Sequence, residues 1–148
     1  MSATDTQLKA AHAEVKAEIT RTDTKTGLLL AFIGAVLAGT WSAGKDLPLT
    51  VFALVPGLAG MALLVGAAGL LLASVRPNLG GDHGFPLWAT LTAEQIRATV
   101  ATDLAEDIAG LSRIAVKKFT GLRRAVDLTR IGGGLLILAV LIALGGAA

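Results

Sequence analysis

The chain has 148 residues, of which 53% are hydrophobic and only 16% charged, with a formal net charge of +2 and no cysteine. Without cysteine there is no disulfide framework, no thiolate nucleophile and no sulfur-ligated metal. Three stretches, 26–43, 49–75 and 131–148, hold no Asp, Glu, Lys, Arg or His, and since about 20 apolar helical residues cross a hydrocarbon core, this pattern excludes an ordinary soluble domain and predicts a small integral membrane protein.

The remainder divides into an N-terminal arm (1–25), a short hairpin (44–48) and a central block (76–130). None is large enough to bury a sizeable core alone, so the central block is expected to pack against the arm or against further copies of the chain, and oligomerisation is a structural expectation. In the arm, Thr4 and Gln7 have the spacing of a capping box, and Leu8, Ala11, Val15, Ile19 and Thr22 recur at helical period. The mixed charges of the arm, including Glu14, Glu18 and Asp23, do not read as a secretory signal, so the first span (26–43) is a retained anchor. Only Gly27 interrupts the pattern between Ile19 and Leu28, so arm and span are read as one rod. Within the span, Gly27, Ala31, Ala35 and Gly39 form a small-residue stripe that predicts a packed face, and Trp41 fits an interfacial anchor.

The hairpin 44–48 forces antiparallel spans, with Asp46 as the expected cap and Pro48 near the first turn of the next helix. In the second span (49–75), Pro56 followed by Gly57 predicts a kink or local loosening. Arg76 and Pro77 end it, and Asn78 to Phe85 form a Gly-rich loop that lacks the Lys-Ser/Thr ending and the preceding strand of a phosphate-binding loop. Phe85 and Trp88 are read as seating this loop.

In the central block, Thr92 with Gln95 opens a helix whose apolar positions are Ile96, Val100, Leu104, Ile108 and Leu111, with Gly110 marking an end or a bend. The pattern resumes through Ile114, Phe119, Leu122 and Val126 and runs without a breaker into the third span (131–148). The earlier part is acidic (Glu94, Asp103, Glu106, Asp107) and the later part basic (Arg113, Lys117, Lys118, Arg123, Arg124, Arg130). Folded as a hairpin the two would attract; alternatively the basic face stays open to anionic lipid or an anionic ligand. Surface pairing is worth too little to choose between these.

Twelve of the thirteen basic residues fall on one side of the membrane and only Lys45 on the other. By the positive-inside rule the arm and central block are cytoplasmic, while the hairpin and C-terminus face outward.

No constellation for catalysis is present. His12 and His83 lack ligand-spaced partners, Ser112 has no base beside it, and Asp103, Glu106 and Asp107 fit a helix face better than an acid/base pair. The expectation is therefore no enzyme activity, no metal and no cofactor. Polar side chains in the spans, such as Thr40, Ser42, Thr50 and Ser74, lie near the ends, so any permeabilisation would come from helix assembly or rearrangement with little ion selectivity. What remains is a basic patch on helices that lead into the bilayer, either a sensor for a negative ligand or a belt that fixes topology.

The run Glu18-Ile-Thr-Arg21-Thr-Asp23-Thr-Lys25-Thr-Gly27, the post-span Arg76-Pro77-Asn78-Leu79-Gly80-Gly81, and Leu111-Ser112-Arg113-Ile114-Ala115-Val116-Lys117-Lys118-Phe119 with Leu122-Arg123 resemble the Pycsar transmembrane effectors over most of the chain. The resemblance implies a bacterial antiphage protein of the inner membrane. It would be activated by a cyclic pyrimidine mononucleotide, cyclic UMP or cyclic CMP, made by a partner cyclase, with no nucleic-acid partner. The fold expected is an all-α membrane protein: three transmembrane helices and a small cytoplasmic helical bundle built from their extensions. With no room for a separate nucleotide-binding β-roll, the candidates for the phosphate are Arg21 and Lys25 on the arm with Lys118 and Arg123 on the later helix. Asp23 would take a ribose hydroxyl or a base amino group, or alternatively pair with Lys118 or Arg123 and pin the two rods together. The rival function is a non-catalytic accessory subunit whose rods dock a partner protein.

Overall fold

Charge-free chain in lipid satisfies its backbone only as helix or closed barrel, and the regular structure described here is all helical. A computed structural model describes the backbone of residues 3–45, 50–76, 89–100 and 104–146, and the side chains of 6–45, 50–76, 89–96 and 104–146. The elements are α1 (Ala3–Gly44), α2 (Val51–Val75), α3 (Ala93–Val100) and α4 (Leu104–Gly145). Helices α1, α2 and α4 are each long and apolar enough to cross a membrane. The chain is thus an all-α, multi-pass membrane protein.

Helix α1 runs unbroken for 42 residues through Gly27, as the pattern from arm to span predicts. The side chain of Thr4, expected to open a capping box with Gln7, lies outside the described residues. At the start of α2 the cap is Thr50: its carbonyl accepts from the amides of Ala53 and Leu54 at 3.0 and 2.9 Å, and its hydroxyl from Ala53 at 3.4 Å. Asp46 and Pro48 lie outside the described residues. The 25 residues of α2 continue past Pro56 and rise about 37 Å; the expected kink does not break the helix.

Two expectations for the central block are corrected. Helix α4 passes through Gly110 without ending, since one interior glycine costs only about 1 kcal/mol and the apolar period continues on both sides. Consequently Glu106 and Asp107 sit in the first turn of the same helix that carries the basic residues, where carboxylates complement the helix dipole. They are not the facing arm of a hairpin. The charge-free part of α4, residues 131–145, rises only about 22 Å. The loop with Asn78, His83, Phe85 and Trp88, and also Asp103, lie outside the described residues.

The chain separates into two compact units, a polar one of Met1–Asp23 with Arg76–Phe119 and an apolar one of Thr24–Val75 with Thr120–Ala148. In the apolar unit, Ile33 of α1, Leu64, Ala67 and Leu71 of α2, and Ala125 and Leu136 of α4 form the buried core. Inside lipid this packing is held by close van der Waals contact, not by release of water. The tightest point is Gly60 against Gly132: a Cβ on Gly60 would stand 2.7 Å from the Gly132 carbonyl oxygen, and one on Gly132 would stand 2.9 Å from that of Gly60. Only glycine lets α2 and α4 come so near.

The small-residue stripe expected to pack does not pack within one chain. An added Cβ at Gly27, or at Gly39, would have nothing within 4 Å, and Ala31 and Ala35 are exposed. Helix α1 instead turns its bulkier row inward, Leu30, Ile33 and Leu37, because larger side chains gain more dispersion contact.

In the polar unit a row of inward positions on α1 passes through Leu8, Ala11, Val15, Glu18 and Thr22, with half-buried His12 and Ile19 beside it, and one on α4 passes through Leu104, Ile108, Leu111, Ala115 and Lys118, with half-buried Asp107, Gly110 and Ser112 beside it. Both rows alternate steps of three and four, the coiled-coil spacing. Ile114 and Phe119, expected on the apolar face, are instead 49% and 37% exposed, since they flank this row. The Thr92–Gln95 capping box forms as predicted, with the Thr92 amide donating to Gln95 Oε1 at 2.8 Å and the Gln95 amide to Thr92 Oγ1 at 3.4 Å.

Candidate functional site

The inward row on α4 includes one charged residue, Lys118, which is half-buried. It meets Asp23, the residue after buried Thr22 on α1. Lys118 Nζ donates to both carboxylate oxygens, at 2.6 Å to Oδ1 and 2.8 Å to Oδ2. The side chains are 22% and 44% exposed for Lys118 and Asp23, so the pair is partly screened and contributes on the order of 1 kcal/mol or less. Thr22 is held by its own helix, its hydroxyl donating to the Glu18 carbonyl at 2.9 Å, which fixes the turn that carries Asp23.

Arg21 lies in the same unit but points elsewhere, because two residues along a helix are separated by about 200°. Its guanidinium donates to Glu18 Oε2 at 3.0 Å, a partner one turn back. Lys25 and Arg123 belong to the apolar unit, and both are exposed. Of the five residues singled out from the sequence, the structure therefore places Arg21, Asp23 and Lys118 in one unit and brings Asp23 and Lys118 into contact. The second possibility raised for Asp23, a tie between the two rods, is realised with Lys118. Glu18 was missed as the partner of Arg21, although opposite charges three residues apart on a helix are a readable signal.

His12 and Ser112 are half-buried in the polar unit. Among the described residues there is no group of three or more His, Cys, Asp or Glu able to hold a metal ion. The chemistry on offer is charge recognition. Lys118 has three donors on its ammonium, and Asp23 is an acceptor of two oxygens.

A family model described as the Pycsar effector protein domain matches residues 7–145. No match to a curated protein and none to a solved structure was found. The matched region takes in the Asp23–Lys118 pair and all three membrane-length helices. Together with that architecture, the match means that the chain belongs to the Pycsar effector family and is a membrane effector of antiphage defence.

Proposed function

We propose that this effector is gated by a cyclic pyrimidine mononucleotide, cyclic UMP or cyclic CMP, bound in its polar unit, and that gating impairs the integrity of the bacterial inner membrane without catalysis. The observation that carries the reading is the Asp23–Lys118 contact, which ties α1 to α4, each of which continues as one helix into an apolar span. A phosphate monoanion competes directly with the Asp23 carboxylate for the Lys118 ammonium. Arg21, which points away from this pair and is bonded to Glu18, adds a second cation only in the rearranged state, once its side chain has left Glu18 and swung toward the ligand. Once released, Asp23 accepts a hydrogen bond from a ribose hydroxyl or a base amino group.

Magnitudes limit what the swap alone achieves. Moving a two-state equilibrium from 1:99 to 99:1 takes about 5.5 kcal/mol of differential affinity, several times what a partly exposed ion pair contributes. Breaking the tie is therefore the trigger, and the contacts the nucleotide makes in the rearranged state supply most of the work. Lys25 and Arg123, in the apolar unit, are left outside the proposed site. By the distribution of Lys and Arg, the polar unit faces the cytoplasm, where a partner cyclase would release the ligand. With spans so poor in polar groups, leakage comes from rearrangement of helices between several copies of the chain and shows little ion selectivity.

The test is dye-loaded liposomes containing the purified protein, to which cyclic UMP and cyclic CMP are added separately. Leakage with one of them, its midpoint raised at least tenfold by Lys118→Ala, supports the reading. Neither leakage nor binding with either nucleotide refutes it, and an unchanged midpoint in Lys118→Ala removes Lys118 from the site.

A further inference from the structure

The apolar unit is not filled throughout. Past the crossing at Gly60 and Gly132 it holds an open groove of about 820 Å³, walled by the last part of α1, the first part of α2 and the last turns of α4. Gly39, Gly57, Ala139 and Ala143 lie along its walls, where larger side chains would have closed it. A groove of this size is within the roughly 300–1,000 Å³ of natural ligand pockets, and in a bilayer an apolar groove open to the hydrocarbon fills with hydrocarbon.

Its mouth differs from its walls. Trp41 and Lys45 stand there one helical turn apart, with Lys45 Nζ 5.9 Å from the centre of the Trp41 ring. Tryptophan settles at the headgroup level of a membrane, and lysine extends to the same interface. Among the described residues that line the groove, Lys45 is the one that is ionisable. An apolar slot that runs into the membrane, with the Lys45 cation at its interfacial end, is complementary to an amphiphile with a hydrocarbon tail and a negative head.

We propose that this groove binds an anionic phospholipid, with an acyl chain along the apolar walls and the phosphate paired with Lys45. Charge selects the headgroup, since a zwitterionic lipid leaves no net attraction at the mouth. The site lies wholly in the apolar unit and does not depend on nucleotide gating.

Trp41 is a built-in reporter, because the chain has two tryptophans and Trp88→Phe leaves Trp41 as the sole emitter. In vesicles of unlabelled phosphatidylcholine, a small fraction of brominated phosphatidylglycerol or brominated phosphatidylcholine is added and the quenching of Trp41 measured. Brominated phosphatidylglycerol should quench at about one-fifth the mole fraction that brominated phosphatidylcholine needs, the factor expected for one interfacial lysine. Lys45→Glu should abolish that preference while phosphatidylcholine quenching persists. Gly39→Leu, at a position with open space around it, should partly fill the groove and weaken quenching by both lipids without disturbing the fold. Equal quenching by the two lipids overturns the proposal. So does an absence of quenching by either, the result expected if a second copy of the chain occupies the groove.

Discussion

Replacing Gly60 with alanine places one methyl group at the tightest point of the apolar unit. The added carbon would stand 2.7 Å from the Gly132 carbonyl oxygen and 3.0 Å from Leu136 Cγ, where ordinary contact begins at 3.4 Å, so α2 and α4 must part by about 0.7 Å. The oxygen is backbone and cannot swing aside as a side chain would. A gap of that order forfeits about a quarter to a half of each dispersion contact along the seam, and overpacking of this kind costs about 1–3 kcal/mol, which is about 5- to 150-fold in the equilibrium between packed and separated helices. Gly66→Ala and Gly69→Ala are the controls, since an added Cβ at either position meets nothing within 4 Å. They should be neutral, because helices remain formed when they separate inside a bilayer and intrinsic propensity drops out of the comparison. The assay is steric trapping or detergent titration in bicelles, following the separation of α2 from α4. Destabilisation of Gly60→Ala alone is expected, and the double variant with Gly132→Ala should cost less than the sum of its parts, because both methyl groups act on one crossing. A Gly60→Ala protein as stable as its parent, or controls equally destabilised, would refute the reasoning.

Two further outcomes are expected. Exchanging the charges of the tie as Asp23→Lys with Lys118→Asp should restore the stability that either single change loses, with a coupling of about 0.5–1 kcal/mol in a double-mutant cycle that shrinks as salt is added; no coupling would mean that the contact does not hold α1 to α4. Thr92→Ala removes one half of the capping box of α3 and should destabilise that eight-residue helix by about 1 kcal/mol, read as faster amide exchange at Gln95 and Ile96 with no change at the α2–α4 crossing.

The membrane spans were legible in the sequence because lipid imposes an absolute demand: a run such as 51–75 without a single charge has few other uses. The unbroken course of α1 followed from the absence of any breaker other than Gly27. The face of each helix was harder. The stripe from Gly27 to Gly39 has the spacing of a packing motif, yet the glycines that make the close approach are Gly60 and Gly132, far apart in sequence and recognisable only once the helices are placed together. Ile114 and Phe119 misled for a related reason, since a step pattern of three and four admits neighbouring rows, and the row that turns inward passes through Ala115, Lys118, Leu122 and Ala125. Of the charged candidates, the Asp23–Lys118 contact was among the pairings that charge alone suggested. The groove behind Trp41 and Lys45 was not foreseen, because a cavity is made by what small residues on three helices fail to fill.

One feature of α4 bears on where the protein works best. Its charge-free helical segment, 131–145, rises about 22 Å, whereas α2 rises about 37 Å and a typical hydrocarbon core measures about 30 Å. Two helical segments of such different rise would not match one bilayer thickness equally well: a longer one is accommodated by tilting and a shorter one by local thinning or by a flanking residue such as Arg130 reaching to the headgroups. The expected outcome is a relative tilt of the two helices that varies with acyl-chain length, measured by oriented spectroscopy of α2 and α4 in bilayers of graded thickness; a tilt that does not change across the series would count against it.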